Sequence, residues 1–237
     1  MSNETFKRGQ VEWALWRAAN FSRALVSKER PPIFATRIKR LLDADRELDA
    51  DEVEAKAPFA FVPFGEGRGI ESVFAPFNVF CLAVALDLLD VGFKQGEIVV
   101  VMRHLRPQLE RWFPDLLSRP SLGDRQNRRA SEHPELPVIQ RDGRQDVADA
   151  RVFVILNRVE MTEVLSLPKT KGKSNVPAFL EPEICEGVAG LESVLNELLP
   201  HHRRTVIVIE IAAAAQNVTK FLKQAPRLLR GRPALKR

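Results

Sequence analysis

The chain has 237 residues, 45% of them apolar and 28% charged, a globular composition that excludes wholesale disorder. Its 36 basic and 31 acidic residues give a net charge of +5, which permits a polyanionic partner without requiring one. Two distant cysteines do not make a disulfide framework, the N-terminus lacks a signal-peptide core, and no apolar run spans a bilayer, so we expect a cytoplasmic protein without membrane contact.

The first fifth of the chain predicts two helices. Residues 10–20 carry apolar residues at helical spacing, with Trp13 and Trp16 beside them. A second helix is predicted to start at Pro32, because the missing N–H of proline is tolerated in a first helical turn. Its apolar stripe consists of Phe34, Ile38, Leu41 and Leu42. Its opposite face carries Thr36, Arg37, Lys39 and Arg40.

This second helix has the pattern of a recognition helix. One face is apolar enough to pack on its own domain, and the other offers long cationic and hydroxyl side chains. Such side chains can reach phosphates and base edges in a major groove of DNA. A surface helix with solvated charges gives the same pattern, so the residues alone leave both interpretations open.

Residues 58–74 predict a β-hairpin. Two strand-like runs flank a loop that contains Gly65, Gly67 and Gly69, with Arg68 at its tip. A dinucleotide-binding loop would need a helix directly after the glycines, and here a second strand is predicted. A hairpin with an arginine at its tip suits a wing on the DNA backbone or in the minor groove. A plain solvent-exposed turn is the alternative.

Two helices are predicted next. Residues 76–91 are nearly all apolar, so they predict a helix buried on most of its circumference, with Cys81 as a small buried hydrophobe. Gly92 takes the place of a left-handed residue at its C-terminus. Asp87 and Asp90 mark either its solvated edge or an ion pair with nearby arginines. The next helix is expected from residue 98 to 113, kinked or divided by Pro107 and ended by the prolines at 114 and 120.

These elements together resemble the MerR-type winged helix-turn-helix of bacterial transcription regulators. A recognition-type helix precedes a β-hairpin, and the turn at residues 88–98 is similar to the family signature, with Gly-Phe followed by Glu-Ile. The resemblance covers about half the chain, from about residue 10 to residue 113. It implies that Arg37, Lys39 and Arg40, with Thr36, enter the major groove of double-stranded DNA, while Arg68 contacts the backbone from the wing.

The remainder of the chain predicts a linker, a small domain and a tail. Residues 118–149 are polar and lack apolar periodicity, which is typical of a flexible linker. Strands near 151–157 and 204–211, with helices after 188 and 212, predict a small α/β or α+β domain. The second strand is apolar on both faces and is expected to be central in its sheet. The basic tail either reaches for nucleic acid or solubilises the terminus.

We therefore predict an α+β protein with four parts: a winged helix-turn-helix domain (1–117), a linker (118–149), a small α/β assembly or effector domain (150–225) and a basic tail (226–237). The predicted function is a DNA-binding transcriptional regulator, with a homodimer through the C-terminal domain. The alternative is a non-catalytic protein–protein interaction module that keeps the winged fold. The four histidines and two cysteines lack ligand or catalytic spacing, so no enzyme, cofactor or metal site is predicted.

Overall fold

The protein is described by a computed structural model that covers residues 4–19, 30–48, 57–63, 72–120, 149–158, 182–198 and 205–226. These residues form helices and two small antiparallel sheets, which confirms the predicted α+β class. In chain order the elements are β1 (Phe6–Lys7), α1 (Arg8–Ala19), α2 (Pro32–Glu47), β2 (Val73–Phe74), α3 (Pro76–Asp90), α4 (Gln95–Ser118), β3 (Val152–Arg158), β4 (Glu183–Glu186), α5 (Gly187–Leu198), β5 (Thr205–Glu210) and α6 (Ala212–Gln224).

Helix α3 lies at the centre of the helical layer. Most of its residues from Val79 to Leu88 are buried, as the continuous apolar run predicts. It ends where the backbone of Gly92 takes the left-handed conformation, with φ of +93°. The N–H of Phe93 then donates to the carbonyl of Leu88 at 3.1 Å, which closes the last turn. The predicted role of Gly92 is confirmed, and so is the burial of Cys81.

Helix α4 is longer than predicted. It continues through both Pro107 and Pro114 and ends at Ser118, so the expected end at Pro114 was wrong. A proline inside a helix costs about 3 kcal/mol. Here the apolar stripe runs unbroken across both prolines and is buried along its length, and this packing outweighs the cost. The buried members of that stripe are Leu105, Leu109, Phe113 and Leu116.

The strands pair differently from the prediction. In the larger sheet the order is β4-β3-β5, so β3 is central and β5 is an edge strand among the described strands. The expectation that residues 204–211 form a central strand was therefore wrong, and Val208 is 40% exposed. In the smaller sheet, Phe74 lies opposite Phe6 and Val73 opposite Lys7. Residues 57–63 are irregular and the described partner of β2 is β1, so the first arm of the predicted hairpin was wrong. The predicted hairpin tip with Arg68 lies outside the described residues.

One hydrophobic core joins the two predicted domains. It contains the buried faces of α1 to α4 together with Val152, Val154 and Leu156 from one face of the larger sheet. Helix α6 packs against α1, α3 and α4, and the Phe221 ring meets Trp13 edge to face at 6.3 Å. The other sheet face packs on α5. The core is thus continuous across the predicted domain boundary, and most of the predicted linker, residues 121–148, lies outside the described ranges.

Among the described helices, none combines the length and the apolar character that crossing a membrane requires.

Candidate nucleic-acid interface

The first turn of α2 is fixed to α1 by charge and by aromatic packing. Glu12 of α1 is only 7% exposed and receives Arg8 Nε at 2.8 Å and Arg30 Nη1 at 2.6 Å. Arg30 stands just before α2, so this pairing ties the entry of α2 to α1. Trp16 meets Phe34 edge to face at 5.2 Å. The start of α2 is thereby held at a defined angle to α1.

The far end of α2 is fixed to α4 by a buried ion pair. Asp45 accepts a hydrogen bond from Arg103 Nε at 2.9 Å, and neither side chain exposes more than 1% of its surface. Asp45 also accepts the backbone N–H groups of Ala60 at 3.0 Å and Phe61 at 3.2 Å. Buried carboxylates of this kind persist when their charge is paired and their lone pairs are used. The carboxylate therefore joins α2, α4 and residues 57–63.

A second arginine holds the same irregular segment from the other side. Arg106 Nη1 donates to the carbonyls of Ala60 at 2.8 Å and Phe61 at 3.1 Å. Its guanidinium also lies 4.5 Å from the ring centre of Phe59 and 4.9 Å from that of Phe77. Arg68 itself lies outside the described residues. Residues 57–63, which precede it in the chain, are anchored to the helices that support α2.

The predicted contact residues on the outward face of α2 differ in their exposure and in their hydrogen-bond and ion-pair partners. Lys39 and Arg40 are exposed and make no ion pair or hydrogen bond with any described residue. Thr36 donates its hydroxyl to the carbonyl of Pro32 at 3.2 Å, a local helix bond. Arg37 forms an ion pair with Asp90 at the end of α3. For Asp90, this pair agrees with one of the two sequence-based alternatives, the ion pair with a nearby arginine.

The charge on this face is mixed. Consecutive helical residues point 100° apart, so Lys39 and Arg40 stand on either side of a line through Thr36 and Asp43. Asp43 lies 3.5 Å from Arg46 Nη1, one turn further along. Lys39 and Arg40, which are unpaired among the described residues, carry charges suited to phosphates. Thr36 and Asp43, between them, carry a hydroxyl and a carboxylate suited to base edges. Sequence reasoning missed the Asp43–Arg46 pair, although its i, i+3 spacing is the signal that would have found it.

Both cysteines lie in the described part of the chain, and both are buried. Burial raises the pKa of the Cys81 thiol to about 12, so the thiolate needed for nucleophilic or ligand chemistry is absent at neutral pH. Burial also raises the pKa of Cys185. Across the ranges that the structure describes, no three side chains of His, Cys, Asp or Glu come together as metal ligands would. The arrangement on α2 is suited to binding and offers no acid–base pair.

Comparison of the sequence with protein-family models gives no match, and comparison with curated proteins gives none either. Function has to be inferred from the geometry of α2 and of the elements around it.

Proposed function

We propose that the protein is a cytoplasmic, bacterial transcriptional regulator that binds double-stranded DNA through a MerR-like winged helix-turn-helix, with α2 as the recognition helix. The observation that carries this proposal is that Lys39 and Arg40 are exposed on the outward face of α2 and are unpaired within the described part of the chain. Unpaired cations gain most from phosphate, because no internal ion pair has to be broken first.

The setting of α2 supports this proposal. A recognition helix must be held rigidly on one side so that its other side keeps a fixed register on the duplex. The apolar face of α2 packs through Phe34, Ile38 and Leu41 into the core. The ion pairs of Glu12 with Arg8 and Arg30 fix one end of α2, and the Asp45–Arg103 pair fixes the other. Such anchoring suits sequence-dependent contact more than loose electrostatic attraction.

Each predicted contact residue has a role in this proposal. Lys39 and Arg40 contact phosphates or base edges of the major groove, and the side chain of Thr36 lies between them. Arg37 reaches the duplex only after it leaves Asp90, so it is a conditional contact. Arg68 contacts the backbone from the wing, and the anchored segment 57–63 sets where that loop begins.

A homodimer through the C-terminal part of the chain completes the proposal. Regulators that read two half-sites need a two-fold pair of recognition helices. Strand β5 is an edge of the described sheet, and an exposed edge can pair with the same strand of a second copy. Val208 on this strand is partly exposed, which favours contact with another surface.

The test combines selection of bound genomic fragments with matched charge removal. Wild-type protein should enrich a defined site and prefer it over random duplex by about a thousandfold or more. The double variant Lys39→Ala/Arg40→Ala should lose that preference. A control that removes two exposed cations from other helices, Arg111→Ala/Lys223→Ala, should keep the preference at nearly full affinity. Unchanged site selection by the α2 double variant would show that another surface contacts DNA.

A second candidate function is a protein interaction module with the same fold. The observation that favours it is Ile33, which is 64% exposed and lies on the same side of α2 as Arg37 and Arg40. The exposed isoleucine offers apolar area that a protein partner would bury. Binding to DNA should weaken steeply as salt rises, whereas an interface centred on Ile33 should change little. Ile33→Ser should abolish the second kind of binding and spare the first.

A further inference from the structure

A cleft of about 110 Å³ opens where α1, α2, α3 and α6 meet. The space exists because small side chains face it from three of the four helices. The walls are formed chiefly by Ala18, Ala19, Phe34, Ala83, Ala214 and Val218. The cleft lies beside the outward face of α2 but does not include Lys39 or Arg40. It shares only Arg37, the conditional contact, with the residues proposed to bind DNA.

The polar groups of the cleft come from one face of α3 and its neighbours. Ala83, Asp87 and Asp90 follow at i, i+4 and i+7, so all three lie along one side of α3. Asp90 is paired with Arg37. The carboxylate of Asp87 has no hydrogen bond or ion pair with any described residue. Asn217 of α6 adds an amide. Two carboxylates and one guanidinium leave the cleft with a formal charge of −1.

The environment of Asp87 makes its unpaired charge costly. Asp87 is exposed at the mouth of the cleft, where the helices around it displace part of the water near its carboxylate. This desolvation, with a smaller contribution from the nearby Asp90, raises the pKa of Asp87 to about 6. At neutral pH the carboxylate is mainly ionised and lacks a partner among the described residues, so a cation placed against it would be stabilised.

We propose that this cleft binds a small organic monocation, a primary amine on a short apolar body, whose ammonium group pairs with Asp87. The volume excludes nucleotides and other large cofactors, since pockets for drug-sized ligands measure about 300–1,000 Å³. The cleft is smaller than the cavity of about 150 Å³ that holds a benzene ring, but it is open to solvent on one side, so a ring or a short branched chain can enter it in part. The charge selects a monocation, and the apolar walls select a hydrocarbon body. This binding does not depend on whether the protein binds DNA.

Benzylamine is a suitable probe, with benzyl alcohol as a neutral molecule of nearly the same shape. Titration of the full chain at pH 7.5, followed by amide chemical shifts, should place benzylamine at α3 and α6. Benzylamine should bind about tenfold or more tightly than benzyl alcohol, because a charge-assisted hydrogen bond contributes at least that much. Asp87→Asn should remove this advantage. Asp43→Asn, which removes a carboxylate outside the cleft, should leave it unchanged.

A second variant tests the cleft without touching its charge. Ala214→Leu places a larger side chain in the space from α6 and should abolish binding of both probes, and thermal unfolding of each variant checks that it folds. Binding of benzylamine should also weaken as pH falls from 7.5 to 5, as Asp87 takes up a proton. The charged groups facing Asp87 are Arg37 from α2 and Asp90 from α3, while the cleft residues of α1 and α6 are uncharged.

Three results would overturn the proposal. The first is equal affinity for benzylamine and benzyl alcohol, and the second is unchanged affinity for benzylamine in Asp87→Asn. The third is the absence of any amide chemical-shift change at α3 and α6 up to about 20 mM benzylamine. The dissociation constant would then lie well above about 20 mM, and the binding free energy would be weaker than about −2 kcal/mol. None of these measurements involves DNA, so they can fail while the proposed function stands.

Discussion

The guanidinium of Arg103 in α4 donates its Nε–H to Asp45 in α2 across 2.9 Å, although 58 residues separate them in the chain. Arg103 Nη2 also donates to the backbone carbonyls of Asp45 and Leu48. One arginine thus binds both the side chain and the backbone at the C-terminal end of α2. This end of the proposed recognition helix is held by α4, so changes at Arg103 should act on α2 without touching its outward face.

Replacing Arg103 with methionine should lower the free energy of unfolding by about 3–5 kcal/mol, because Asp45 would remain buried without its charge partner. Denaturant unfolding followed by circular dichroism measures the change. Arg111→Met, an exposed position on the same helix, should stay within about 0.5 kcal/mol of wild type. A cost below about 1 kcal/mol for Arg103→Met would contradict the buried pair.

Two glycines four residues apart should respond to alanine in opposite ways. A Cβ on Gly92 meets no atom within 4 Å, but its φ of +93° strains any L-residue, so Gly92→Ala should destabilise by about 1 kcal/mol or more. Gly96 has the same open surroundings and an ordinary helical φ, so Gly96→Ala should stabilise by about 0.4–1 kcal/mol. Thermal unfolding compares the two variants. Equal effects would mean that Gly92 does not need the left-handed conformation.

The stability contributed by Asp87 should fall as pH rises. Its pKa is about 6 in the folded protein and 3.8 in the unfolded chain, so the folded state binds more protons between these values. This contribution is complete below about pH 4 and is lost as pH rises through 6. The free energy of unfolding of Asp87→Asn, relative to that of wild type, should therefore rise by about 1 kcal/mol from pH 4 to pH 8. This value is smaller than the full pKa shift implies, because solvent reaches the carboxyl. Urea unfolding at both pH values measures it, and a constant difference would refute the desolvated carboxyl.

Asp149 should show the opposite pH dependence. It accepts hydrogen bonds from Arg151 Nε at 2.7 Å and from the N–H of Val188 at 3.0 Å. The hydrogen bonds from Arg151 lower its pKa to about 2, so its contribution is present above pH 4 and is lost as pH falls through 2. Asp149→Asn should cost about 1–2 kcal/mol at pH 7. In unfolding titrations this cost should shrink toward zero near pH 2, and a cost that stays constant would contradict the prediction.

Releasing Arg37 should strengthen DNA binding if α2 contacts the duplex. Asp90→Asn removes the carboxylate that pairs with Arg37, so one more cation becomes available to phosphate. The affinity should rise, and the slope of log K against log salt should steepen by up to about one unit. Glu192→Gln, which removes one exposed charge from α5, is the matched control. Fluorescence anisotropy with duplex DNA measures both, and equal effects would indicate only a change in net charge.

The local elements follow from the sequence alone. Apolar residues three and four apart specified α2 and the buried run specified α3, because helical periodicity depends only on neighbouring residues. The role of Gly92 was predictable for the same reason. A left-handed residue at the end of a helix is usually glycine, and this preference does not depend on how the helix packs. The α+β class followed from these elements and from the β-branched runs of β3 and β5.

Only the tertiary structure decided which surfaces meet. Pro107 and Pro114 predicted breaks in α4, but burial of the stripe that crosses them kept the helix whole. The apolar pattern of β5 predicted a central strand, but β3 is the central strand of the described sheet. A sequence pattern shows that a strand face is apolar, but it does not show which element covers that face. Arg37 and Lys39 looked alike in sequence. The fold brings Asp90, 53 residues away, to Arg37, whereas Lys39 has no partner among the described residues. The partner of a charge is set by the packing of distant helices.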